Sequence, residues 1–282
     1  MKEQITVYEP NQKAKSGFFS CWIFMVQNII RSRELIWQLF KRDFMANYKQ
    51  SFLGIVWIIL TPLAGIISWV FMNSTGLLNP GDVGVPYPVY VLVGSTIWAL
   101  FIGFYTSTAS SISAGSSLIL HVNFSREALI AQQIAQTVAN FMLSLLMTLV
   151  VFFVFGIVPS WKSIFFPLTL IPIFFIGAGI GMIVAVISVV AHDINKIVTV
   201  SLGFLMFLTP VIYAPKFQNK IVQIVLKWNP MSYLISTPRD VIFYGQIENP
   251  TGYFYSTLFS IVIFLLSWRF FFLSEHKVAE KL

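Results

Sequence analysis

Charged side chains are scarce in this chain: Asp, Glu, Lys and Arg make up 10% of its 282 residues, against roughly 25% in a soluble domain. That scarcity excludes a water-solvated globular fold. Cysteine is scarcer still, with Cys21 alone, so an internal disulfide is impossible and thiols say nothing of the compartment. The three histidines, His121, His192 and His276, stand far apart with no ligand spacing around them, and no metal site is expected. No G-x-x-x-x-G-K-[ST] run occurs; GAGIGM at 177–182 fits neither that loop nor the dinucleotide fingerprint and lies inside an apolar run. The chain is therefore not expected to hydrolyse ATP by itself or to carry a cofactor. Residues 13–26 loosely resemble a signal peptide, but none is expected there. Lys13 and Lys15 precede an apolar run, but no small-residue cleavage site follows before Arg31 and Arg33.

What the chain has in abundance is apolar surface: 57% of its residues are hydrophobic and 16% aromatic, with a mean hydropathy of +0.79. The segment 34–62, ELIWQLFKRDFMANYKQSFLGIVWIILTP, shows how that surface is arranged. In its first half Ile36, Leu39, Phe40, Phe44 and Tyr48 recur at helical spacing while Gln38, Lys41, Arg42 and Lys49 take the other face. Such a helix lies flat on an anionic membrane surface. From Phe52 the charges stop, and about twenty apolar residues are enough to cross a hydrocarbon core of roughly 30 Å. The same pattern returns five more times downstream.

The reading is an all-α polytopic integral membrane protein. Residues 1–52 form a cytoplasmic tail and interfacial amphipathic helices, with 17–30 as a second such helix beside 34–49. Residues 53–282 form a six-helix transmembrane domain with spans at about 53–73, 88–110, 129–155, 164–190, 194–213 and 253–272. Ser125 is placed to cap the third span, with Glu127 in its first turn at the positive end of the helix dipole. Gly177 and Gly181, four residues apart in the fourth span, let another helix approach closely. Between the last two spans, 214–252 holds two apolar stretches too short to cross, about 219–228 and 231–244, separated by Asn229 and Pro230. They read as re-entrant or interfacial half-helices. Thirteen of the eighteen Lys and Arg fall on one side of this arrangement, so both termini are expected in the cytoplasm.

Trp98, Phe101 and Tyr105 lie at helical spacing on the second span, with Trp57 and Thr61 on the first. Aromatic belts and lipid-facing packing explain such a set; so does a row of rings along a conduit, whose flat faces stack on sugars. Composition does not separate the two. The predicted spans carry no deeply placed ionisable group, with Asp193 and Arg269 at ends, whereas ion-coupled carriers use such groups or broken helices at the midplane. Energy is expected from a partner.

Several segments together resemble the permease subunits of bacterial ABC exporters of O-antigen, capsule and teichoic acid. They are RELIWQLFKRDFMANYKQSFLGIVWIILTPL at 33–63, NFSREAL at 123–129, DINKIVTVSLGFLMFLTPVIY at 193–213 and NPMSYLISTPRDVIF at 229–243. The stretch before Arg33 has no match in that pattern. The resemblance implies a homodimer of six-span subunits in the bacterial cytoplasmic (inner) membrane, bound to two ATPase subunits that hold ATP and Mg. It would extrude a lipid-linked glycan, with membrane lipids around it and no nucleic acid involved. It further implies a coupling helix at 116–127, with Leu118, Ile119, Phe124, Arg126 and Glu127 against the ATPase. The hairpin 214–252 would be re-entrant from the outer side. Lys41, Arg42 and Lys49 would meet lipid headgroups and help admit an anionic lipid diphosphate, and Trp57, Thr61, Trp98, Phe101 and Tyr105 would line the channel. A drug or small-lipid exporter of the same architecture is the alternative. A membrane-embedded transferase or phosphatase would need convergent acidic, His or Arg residues, for which His192 and Asp193 are too sparse.

Overall fold

The computed structural model describes residues 20–49, 56–114, 126–191, 193–215 and 219–279. Among them there are helices and no strands. In chain order these are α1 (Ser20–Arg31), α2 (Arg33–Lys49), α3 (Val56–Ser74), α4 (Tyr87–Ala109), α5 (Ser111–Ala114) and α6 (Arg126–Val154). A 3₁₀ turn (Trp161–Phe165) follows, then α7 (Phe166–Thr169), α8 (Ile171–Ser188), α9 (Asp193–Phe207), α10 (Lys220–Trp228), α11 (Pro230–Phe243) and α12 (Pro250–Ala279).

Four stretches among the described residues are long and apolar enough to cross a membrane: 87–109, 127–154, 161–188 and 250–274. They coincide with the second, third, fourth and sixth spans expected from sequence. The other two differ. α3 is apolar through Leu63–Ser74, while part of its expected span, 53–55, lies outside the described residues. The fifth expected span, 194–213, forms a helix only to Phe207, because Leu208–Pro210 turn the chain and Val211 donates its N–H to Thr209 O at 2.7 Å. Fifteen residues at 1.5 Å each reach about 22 Å, short of a hydrocarbon core.

Helix α8 is the centre of the bundle, packed between α4 and α12, with α6 on the far side of α4 and α3 against both. The contact with α4 is backbone on backbone. A side chain at Gly177 would meet Phe101 O, and one at Gly181 would meet Tyr105 O and the Thr108 side chain. These glycines do what their spacing predicts. The outer helices keep one face apolar and open, as on α6, where Phe153 is 88% exposed, and on α12, where Phe254, Leu258 and Leu266 are exposed. A lipid-facing surface has this composition. α6 stops at a Schellman cap: Gly156 takes φ +64°, its N–H reaches Phe153 O at 3.2 Å, and Ile157 N–H reaches Phe152 O at 2.9 Å.

The two N-terminal helices follow the amphipathic reading and dock on the bundle. Helix α1 buries Cys21 and Met25 in a cluster with Met182, Phe271 and Phe272, and leaves Ile23, Val26 and Ile30 exposed. The segment that the family resemblance did not reach thus braces the end of α12. α2 lies along α6. Its Asp43 carboxylate accepts from Arg42 Nε at 2.7 Å and from Gln132 Nε2 at 3.1 Å.

Candidate functional site

The polar chemistry of the subunit gathers where α11, α4 and the turn after α9 meet. Asn219 caps α10, accepting from Ile221 N–H at 2.9 Å, and Asn229 caps α11, accepting from Met231 N–H at 3.0 Å. Pro230 then occupies the first helical position, where no N–H is needed. The Asn229 amide also donates to Leu208 O and Thr209 Oγ1, both at 3.0 Å. One residue therefore fixes the α10–α11 corner against the end of α9.

That corner carries Arg239, 2% exposed, into the protein. Its guanidinium lies 4.0 Å from the centroid of the Tyr90 ring on α4, and Nη1 donates to Pro210 O at 2.8 Å. A desolvated cation over an aromatic face gains about 2 kcal/mol, which offsets part of the penalty for burying the charge. Tyr90 is itself fixed, because its hydroxyl donates to Tyr213 O at 2.9 Å. Asp240 is buried next to Arg239. Burial pushes its carboxyl up to about 7, Arg239 opposes the rise and Glu248 adds to it. Arg239, Asp240 and Tyr90 line a cavity of about 1010 Å³ together with Ser232, Tyr233 and Tyr244.

Sequence reasoning put residues 231–244 in a short half-helix and assigned no role to Arg239 or Asp240. The available signal was an Arg-Asp pair inside MSYLISTPRDVIF, where apolar residues otherwise recur at helical spacing. Asp43 was passed over too, as an acid in a basic amphipathic helix.

The aromatic stripe packs inside the subunit. Trp98, Phe101 and Tyr105 are 6%, 0% and 0% exposed and belong to the core of the single subunit. α8 packs closely on α4 beside Phe101 and Tyr105. Tyr105 serves as a clamp: its hydroxyl donates to Asn195 Oδ1 at 2.7 Å and holds α9 to α4. Spacing put these rings on one side of a helix correctly; it could not tell which side the glycines of α8 would occupy. The side chains of Trp57 and Thr61 lie outside the described residues.

Glu127 is 2% exposed at the start of α6 in the single subunit. Leu118, Ile119, Phe124 and the side chain of Arg126 lie outside the described residues. Of the cations expected at headgroups, Lys41 is exposed and Arg42 is exposed but paired with Asp43 at 2.7 Å; the side chain of Lys49 lies outside the description. Among the described residues no group of three or more His, Cys, Asp or Glu could hold a metal.

Comparison with known proteins adds to this geometry. The model of the ABC-2 type transporter family matches residues 34–243. The chain is 29% identical over 225 residues to the O-antigen export system permease protein RfbA of Myxococcus xanthus, covering 79% of this chain and 85% of that one. It is 22% identical to the protein of the same name from Klebsiella pneumoniae, over 76% and 82% of the two chains. With the polysialic acid transport protein KpsM of Escherichia coli it shares 21% identity over 79% and 87%.

Proposed function

The chain belongs to the ABC-2 type transporter family, and from that premise we propose that it is the membrane-spanning subunit of an exporter that moves a lipid-linked polysaccharide across the bacterial cytoplasmic membrane. The observation that carries this reading is similarity along more than three quarters of the chain to permeases named for O-antigen export and polysialic acid transport. The sequence has no nucleotide loop, so ATP and Mg act in a separate ATPase subunit, and the stretch 116–127 is the part of this chain that meets it. We infer a twofold dimer of this subunit with two ATPase copies as the assembly, the closed symmetry commonest among oligomers.

Six crossings follow if α3, and α9 together with the apolar residues 208–213 that follow it, are added to the four long apolar helices. Both termini are then cytoplasmic, in keeping with the excess of Lys and Arg on that side. The pair α10–α11, nine and fourteen residues long, enters from the outer face and turns back at Asn229 and Pro230. Exposed Lys41 on α2 meets lipid headgroups and the diphosphate of the incoming lipid carrier.

Deletion of the gene tests the cargo. Surface polysaccharide is expected to disappear and its lipid-linked form to accumulate inside, with both restored by the gene on a plasmid. Unchanged surface glycan, together with altered drug resistance or lipid composition, would overturn the reading in favour of a small-molecule exporter.

A further inference from the structure

Three tyrosines border the cavity at α11, and all three hydroxyls are already engaged: Tyr90 to Tyr213 O, Tyr244 to Val83 O at 3.0 Å and Tyr233 to Lys227 O at 3.0 Å. What they offer a ligand is ring face. The charged groups are the reverse case. Among the described residues Arg239 makes one hydrogen bond to protein, through Nη1, although a guanidinium has five N–H donors. The Asp240 carboxylate makes neither a hydrogen bond nor an ion pair there, and the buried Ser232 hydroxyl has no partner. The Ser232 hydroxyl is fully enclosed and destabilising while it stays unpaired, and the remaining polar atoms of Arg239 and Asp240 open on the same cavity. Their convergence on one cavity points to a ligand.

The chemistry of that ligand follows from what the cavity combines. Asp82, Asp240 and Glu248 line it against Lys227 and Arg239, a balance that repels a phosphate or a carboxylate. The two cations equally disfavour a metal ion, and buried charge disfavours an acyl chain. A neutral polyol fits all of it. Each sugar hydroxyl both donates and accepts, which matches a guanidinium beside a carboxyl and a serine, while the apolar face of a pyranose stacks on tyrosine rings. The volume, about 1010 Å³, lies at the upper end of the range for small-molecule sites, roughly 300 to 1,000 Å³, so it holds more than one ring.

We propose that the cavity between α11 and α4 is a sugar-binding subsite that takes neutral pyranose units, with Arg239, Asp240 and Ser232 on their hydroxyls and the faces of Tyr233 and Tyr244 against their rings. The proposal rests on the reading of the cargo as a glycan. In that setting the subsite holds the chain at the outer half of its path, apart from the lipid carrier.

Saturation-transfer NMR on the full-length protein in nanodiscs tests it, with methyl glycosides of glucose, galactose, mannose, rhamnose and N-acetylglucosamine as probes. At least one is expected to bind, with affinity lowered roughly tenfold or more by Arg239→Met and by Asp240→Asn, the change for losing a hydrogen bond to a charged group. Ser236→Phe, which fills the cavity from its rim and leaves Arg239 in place, serves as the second variant where Arg239→Met does not fold. No transfer to any of the probes, or transfer indifferent to Asp240→Asn and Ser236→Phe, overturns the subsite. The deletion strain separates this from the cargo reading. Glycan lost from the surface with no probe bound sinks the subsite alone; variant-sensitive probe binding with surface glycan intact upholds the subsite and sinks the cargo.

Discussion

Tyr90 holds two unlike partners, a cation over its ring and a carbonyl at its hydroxyl, and the two are separable by substitution. Tyr90→Phe keeps the ring and loses one interhelical bond, expected to lower stability by about 0.6 kcal/mol, the average for such bonds in a membrane protein. Tyr90→Leu also strips the buried guanidinium of its aromatic face and is expected to lower it by about 2 kcal/mol more. Denaturation of the purified protein in mixed micelles measures both, and equal losses for the two variants would show that the ring contributes nothing. Asp240 adds a pH dependence of definite sign. Its carboxyl titrates at about 7 in the folded chain and at 3.8 as a free side chain, so between those values the native state holds a proton that the unfolded state has released. Stability from this group is complete at low pH and is lost as pH rises through 7. Thermal unfolding is expected at lower temperature at about pH 8 than at about pH 5, and Asp240→Asn is expected to flatten that slope. These residues were hard to read because the sequence gives a charge and its neighbours, whereas burial depends on α4 arriving from 150 positions upstream.

Elements were far more legible than residues. Long uncharged runs located α4, α6, the α7–α8 stretch and α12, and Asn229-Pro230 located the corner between the short helices, since length and punctuation are local properties. The end of α9 at Phe207 was missed: residues 208–213 are apolar enough to continue a span, and only the turn at Thr209 and Pro210 stops them. Orientation about each helix axis was the other gap, because spacing alone does not say that Trp98, Phe101 and Tyr105 pack in the core of the subunit. Two tests belong at this scale. Gly181→Leu is expected to push α8 from α4, because the added carbons would meet the Tyr105 carbonyl and the Thr108 side chain. Overpacking of this kind costs about 1 to 3 kcal/mol, and the yield of folded protein in membranes should fall with it. On α2, Asp43→Ala removes the acceptor shared by Arg42 and Gln132, whereas Lys41→Glu changes an exposed charge alone. Substrate-stimulated ATP turnover of the assembled complex should fall with Lys41→Glu if that cation meets the lipid diphosphate. A loss with Asp43→Ala and none with Lys41→Glu would assign α2 to bracing only.

At the scale of the whole molecule, a transporter must alternate between shapes, and the packing divides this subunit into parts with and without room to do so. Where α4 meets α8, the carbonyls of Phe101 and Tyr105 stand against glycines, with no side chains between them to slide or change rotamer. That pair is a spine with no play in it. α9 is the opposite: Leu202 is the one residue buried along its length, and the Tyr105–Asn195 bond ties it to the spine. Motion that reaches the α10–α11 corner has to be carried by such loosely held pieces, because Asn229 is bonded to the turn in which α9 ends. A push on α9 is thus a pull on the corner that positions Arg239. Hydrogen exchange should rank α8 slowest and α9 among the fastest of the apolar helices, with Tyr105→Phe accelerating α9 and leaving α8 unchanged. The tyrosine then sets how stiff the link between α9 and that corner is, much as the tension of one string sets how far a lever travels.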